Sequence, residues 1–143
     1  MKLLLRAAFL STICLLLAGF AFAQAKADPA TTQSIKSSPA YAELVLRRTE
    51  VESNVESLLT TYTEEYPKLK ESRHELELLN ADMKRLLQEK DASRLTLALG
   101  KMMVRKNELL TDLWVLRSRF KDDHPDVKRA LRRVDIFTRG INE

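Results

Sequence analysis

The sequence predicts an all-α protein, and three observations carry that prediction. One stretch occurs twice: residues 41–83 and 99–141 superimpose their apolar skeletons on a shift of 58 positions. Within each copy the apolar residues recur at alternating intervals of three and four, the period of a helix face packed on another helix. The composition is the third: 31% charged residues, 6% aromatics and only 3 glycines suit long exposed helices better than a compact enzyme. The expected form over residues 38–143 is a long antiparallel helical hairpin, a coiled coil with proline-kinked arms. The alternative is a four-helix bundle.

At 143 residues the chain holds a single domain. Lys2 and Arg6 form a basic start, Leu3 to Phe22 is mostly apolar, and Ala21-Phe22-Ala23 precedes Gln24. That order is the charged, apolar and small-residue sequence of a secretory signal peptide, residues 1–23, cleaved near Ala23. The rival reading is an uncleaved membrane anchor, since the apolar run is nearly long enough to span a bilayer. Cleavage places the protein in the periplasm or outside the cell. The only cysteine, Cys14, lies inside the apolar run, so the mature chain would use neither disulfide nor thiol chemistry. The signal takes two of the 24 basic residues and none of the 20 acids, which leaves the mature chain near charge balance. Such a balance makes no electrostatic case for nucleic acid.

Residues 24–37 are small and polar with Pro29 and no apolar period, the pattern of a flexible leader. Ser37 or Ser38 followed by Pro39 is a helix start, because the first turn's N–H groups lack intrahelical partners and a proline there loses nothing. The first apolar stripe runs Tyr41, Leu44, Arg48, Val51, Val55, Leu58, Tyr62, and the second runs Leu99, Met102, Lys106, Leu109, Leu113, Leu116, Phe120. Even the polar exception recurs, with Arg48 and Lys106 at the same position. A long basic side chain there can lay its stem on the seam, keep its head in water and disfavour wrong registers.

Pro67 and Pro125 pose the architectural question. A proline inside a helix costs roughly 3 kcal/mol, which argues for a reversal at each, and Asp122-Asp123-His124-Pro125 has the form of a cap and first turn. The stripe nevertheless keeps its phase beyond the prolines. It continues as Tyr66, Leu69, Arg73, Leu76, Leu79, Met83, Leu86 in the first copy and His124, Val127, Leu131, Val134, Phe137, Ile141 in the second. Unbroken phase favours two kinked arms joined at Gln88–Ser93, where the pattern fades and Asp91 or Ser93 can cap a new helix. The second arm is expected to end near Arg139-Gly140. Gly100, within it, either permits close helix approach or is simply tolerated at about 1 kcal/mol. Met103 and Leu110 widen the second seam on one side with Trp114 just beyond, and these side chains need cover, from self-association or a partner helix.

No residues are arranged for chemistry. Serines and threonines sit at the leader and caps, no glycine-rich phosphate loop exists, and His124 among Asp122, Asp123 and Asp126 is better explained by helix-start charges than by a metal. The expectation is therefore no enzyme, no catalytic or metal-binding residues and no cofactor. His74 is expected to be a solvated helix residue. Candidate partner-binding residues are Trp114, Tyr62, Tyr66, Phe120, Arg48 and Lys106. Lys128, Arg129, Arg132 and Arg133 beside the stripe form a basic amphipathic segment that can lie on an anionic membrane or an acidic polymer.

The stretches Tyr62-x-x-x-Tyr66-Pro67-x-Leu69-Lys70 and Phe120-Lys121-Asp122-Asp123-His124-Pro125-Asp126-Val127-Lys128-x-x-Leu131 resemble the aromatic-x-x-x-His-Pro-x-Val segment in the periplasmic coiled coil of polysaccharide chain-length determinants, the exopolysaccharide co-polymerases. The resemblance covers two short stretches. That family's second membrane span, membrane-proximal α/β domain and kinase domain have no counterpart in these residues. What it implies is a helical arm in the envelope, accessory to polysaccharide export. By size, export and helicity the chain is also similar in class to Skp-like and Spy-like periplasmic chaperones, although Leu95-Thr96 lacks the Leu-Thr-x-x-Gln signature of the latter. The expected work is protein–protein interaction: a scaffold that self-associates and docks on envelope proteins with helical coiled coils, or alternatively a holdase.

Overall fold

The computed structural model describes residues 29–143. The expected signal peptide, Cys14 and the start of the leader lie outside the described residues. Five α-helices follow in order: α1 (Pro29–Lys36), α2 (Pro39–Leu59), α3 (Pro67–Leu86), α4 (Leu97–Arg117) and α5 (Pro125–Asn142), with a short 3-10 turn at Ala92–Arg94 between α3 and α4. Every regular element among the described residues is helical, so the all-α expectation holds. None of these helices is long and apolar enough to cross a membrane.

Local chemistry explains most of the boundaries. The Ser38 hydroxyl accepts from the Tyr41 N–H at 3.3 Å, and Pro39 opens α2, as its sequence predicts. Asp91 caps the 3-10 turn through the Ser93 N–H at 2.9 Å. Thr96 rather than Ser93 then caps α4, through the Leu99 N–H at 3.2 Å. α5 runs to Asn142, slightly past the expected stop at Arg139-Gly140.

Two expectations change. α1 lies inside the stretch expected to be a flexible leader. It carries a single large apolar residue, Ile35, which is fully buried against Ala40, Leu44 and Leu95, and tertiary burial supplies what an eight-residue helix lacks on its own. The second change is at the prolines. The chain turns back at 60–66 and again at 118–124 instead of passing through Pro67 and Pro125 as kinked helix. Arg47 of α2 meets Glu75 of α3 (2.7 Å), while Asn54, later in α2, meets Ser72, earlier in α3 (3.3 Å), so the two helices are antiparallel. α4 and α5 repeat the arrangement, with Met102 near Gly140 and Leu116 near Ala130. Each proline becomes the first residue of a helix, where its missing N–H loses no bond.

The two hairpins are joined by α4. It runs parallel to α2, as Ala40 faces Gly100 and Arg47 reaches Glu108 further along (3.5 Å). It runs antiparallel to α3, where Asp82 meets Lys106 and His74 meets Trp114. A β-carbon on Gly100 would lie 2.7 Å from the Ala40 α-carbon, so this glycine is what lets α4 approach α2. The principal core joins Leu44 and Val51 of α2, Leu79, Met83 and Leu86 of α3, and Met103 of α4. Each fully buried aliphatic side chain of this kind contributes roughly 1.5–3 kcal/mol. A smaller cluster of Leu113, Val127 and Ala130 holds α5 to α4. α5 packs chiefly on α4, whereas α3 is flanked by both α2 and α4.

Candidate interaction surface

Because α2 and α4 are parallel, both hairpin turns lie at the same end of the molecule. The turns share their main hydrogen bonds. The hydroxyl of the residue after each first helix donates back to a carbonyl three residues earlier: Thr60 to Ser57, and Ser118 to Val115, both at 2.7 Å. The Tyr62 N–H then donates to Leu58 (2.8 Å) and the Phe120 N–H to Leu116 (2.9 Å), while the Tyr66 and His124 N–H groups donate to Thr63 and Lys121 at 3.0 Å. These bonds wind the chain so that the first and fifth positions of the repeated motif face one another. Tyr62 stacks on Tyr66 with ring centroids 3.9 Å apart, and Phe120 stacks on His124 at 4.1 Å. The recurring aromatic-x-x-x-ring-proline pattern is thus a turn motif: stacked rings close the turn, and the proline starts the returning helix.

The second ring of each pair is also the cap position of its helix. The His124 imidazole Nδ1 accepts from the Asp126 N–H at 3.2 Å, whereas Tyr66 makes no side-chain cap. Acids of the turns find cations close by: Glu64 pairs with Arg73 (2.6 Å), Asp122 with Arg117 (2.9 Å), and Glu65 with Lys70. The Lys70 ammonium holds the Glu65 carboxyl below its ordinary pKa.

The rings stay accessible. Tyr62 is 44% exposed and Phe120 40%. Trp114, near the same end, is 39% exposed and stacks on His74 at 4.9 Å. His74 is therefore a packed residue, with Glu77 beside it, and not the solvated histidine expected from its position. Four of the expected partner-binding residues, Tyr62, Tyr66, Phe120 and Trp114, share this end of the molecule. The other two do not. Arg48 is half-buried along α2 beside Glu52 (3.3 Å). Lys106 is buried, and its ammonium donates to Asp82 at 2.8 Å, with Arg85 on the same carboxylate. Its head is not in water, and its role is to join α3 to α4 inside the chain.

A related junction has no local signal in the sequence. Arg47 reaches Glu75 of α3, Glu108 of α4 and Glu50 of its own helix. Burial works against its charge, but the surrounding carboxylates outweigh burial and hold its pKa above the ordinary value. Only the pairing of three helices brings those residues together.

Lys128, Arg129, Arg132 and Arg133 line the exposed side of α5. Arg129 pairs with Asp126 at 3.2 Å; Lys128, Arg132 and Arg133 have no ion-pair partner among the described residues. A cleft of about 510 Å³ lies between the ends of α3 and α5, floored by Leu86, Leu95, Leu99, Met102, Met103 and Ile141. Among the described residues no three of His, Cys, Asp or Glu are grouped so as to hold a metal ion. Comparison with known proteins yields no relative: no family model, no curated protein and no solved structure matches the chain.

Proposed function

We propose that this protein is an exported, non-enzymatic interaction protein of the cell envelope that docks on other helical proteins through its turn end. The observation that carries the reading is the pair of stacked, half-exposed ring turns at one end, Tyr62 on Tyr66 and Phe120 on His124, with Trp114 close by. Large rings held rigid before binding lose little entropy on contact, and such aromatics are the residues that anchor interfaces. The resemblance of these same turns to the coiled-coil segment of polysaccharide chain-length determinants suggests an accessory scaffold in polysaccharide export.

The test is capture of cross-linked partners from native envelopes, with the parent protein and a Tyr62→Ser, Phe120→Ser, Trp114→Ser variant side by side. The expected result is one dominant helical partner, lost with the variant. Equal capture by both proteins would overturn the turn end as the docking surface.

The second reading is a Skp-like or Spy-like holdase. The open cleft between α3 and α5, with its floor of leucines and methionines, supports it, since flexible methionine-rich surfaces adapt to varied apolar segments. It predicts stoichiometric protection of unrelated unfolded clients from aggregation, weakened by Met102→Asp and unaffected by the ring substitutions.

A further inference from the structure

Two helices carry outward faces of opposite charge around the two most exposed large apolar residues of the described chain. On α2, Leu46 is 57% exposed. The exposed positions about it at helical spacing are Ala42, Thr49, Glu50, Ser53 and Glu56, small or acidic; Arg47 reaches Glu75 of α3 as well as Glu50, and Arg48 is half-buried beside the exposed Glu52. The helix as a whole holds four acids and two bases. On α5, Ile136 is also 57% exposed. Its neighbours one and two turns away are Arg129, Arg132, Arg133 and Arg139, with Lys128 on the flank, and this helix holds five bases and two acids. Glu56 on α2 and Lys128, Arg132 and Arg133 on α5 have no ion-pair partner among the described residues.

We infer that a second copy of this chain docks its α2 on this chain's α5, with Leu46 and Ile136 at the centre and acids meeting bases around them. Charge selects the occupant. Pairing α5 with another α5 would set two arginine rows against each other, and pairing α2 with another α2 would oppose carboxylates, whereas α2 against α5 satisfies both rows. The packing within the chain leaves room for it, because α5 packs chiefly on α4. Each chain carries both faces, so the contact can close as a two-fold dimer or continue head to tail.

The experiment is sedimentation of the purified protein with two charge variants, Ser53→Lys/Glu56→Lys and Arg132→Glu/Arg133→Glu. The four sites are exposed, and circular dichroism of each variant should match the parent. At low salt the parent is expected to sediment above the mass of one chain. Each variant alone should be a monomer, because it opposes like charges on the two faces. An equimolar mixture should reassociate, since the basic α2 of one then meets the acidic α5 of the other. Leu46→Ala or Ile136→Ala should weaken parental association by about tenfold, and high salt should do the same. A monomeric parent, or a mixture that stays monomeric, overturns the inference. So does a parental mass unchanged in both variants with loss of binding to anionic vesicles in the arginine variant alone, which would make α5 a membrane surface. The inference is independent of the turn end, and its failure would leave the docking proposed there untouched.

Discussion

The first hairpin and the second are written with nearly the same pattern, yet they do not bury the same positions. Leu79 of α3 is fully buried; its copy 58 positions on, Phe137 of α5, is only half-buried although it is larger. Met83 is buried and its copy Ile141 lies at the edge of the open cleft. The cause is neighbours: α3 is covered by α2 and α4, while α5 has chiefly α4. The same asymmetry separates the two seam cations. Lys106 lies between helices and pairs with buried Asp82, but its counterpart Arg48 faces Glu52 one turn away on its own helix. A duplicated sequence thus specifies two equal hairpins, and stacking one on the other makes the first a core and leaves the second with an open face.

The largest expected effect tests that asymmetry directly. Leu79→Ala should cost about 3 kcal/mol in denaturant unfolding, while Phe137→Ala should cost less, reversing the usual order of phenylalanine and leucine truncations. Equal costs would mean that α5 is as well covered as α3. Next is the buried pair. Lys106→Met strands Asp82 and should destabilise by roughly 2–3 kcal/mol, partly relieved by Arg85, and Lys106→Met/Asp82→Leu should recover most of it. The matching Arg48→Met should cost under about 1 kcal/mol, since its pair is half-exposed. The glycines give a contrast of sign. Gly100→Ala must push α2 and α4 apart and should cost about 1–3 kcal/mol. Gly140→Ala meets only the Met102 sulfur at 3.8 Å and should stabilise by up to about 1 kcal/mol through helix propensity. The smallest effect concerns what the hairpins share. Tyr62→Ala and Phe120→Ala should each cost about 0.5–1.5 kcal/mol, and to a similar extent, because the two stacks are alike. A large difference between them would end the equivalence of the turns.

The candidate surface was half legible. The ring residues could be named because the motif that carries them repeats, but that the rings stack, and that both turns share one end, depends on the parallel packing of α2 and α4. The prolines misled for a physical reason. Each reversing turn, 60–66 and 118–124, is seven residues long, which equals about two helical turns. A chain that reverses through such a turn resumes its apolar stripe in phase, so counting positions does not distinguish a turn from a kink. The cost of an interior proline, roughly 3 kcal/mol, is what a reversal avoids here, since each proline opens a new helix. α1 leaves no pattern in the sequence, because one buried isoleucine makes no period.

By itself the sequence determined what is local. The helical period, the Ser38-Pro39 start and the repeated turns follow from side chains acting within a few residues of one another. It also set which positions are apolar, and Leu44, Val51, Leu79, Leu109 and Val127 are all buried. Only the tertiary structure decided which of two equal stripes would be closed. Burial is a property of two surfaces meeting, and one α4 can lie across α2 and α3 while leaving α5 with a free side. Charge acts in the same way: Asp82 and Lys106 are 24 positions apart and become a pair only when α3 and α4 are laid antiparallel in this register.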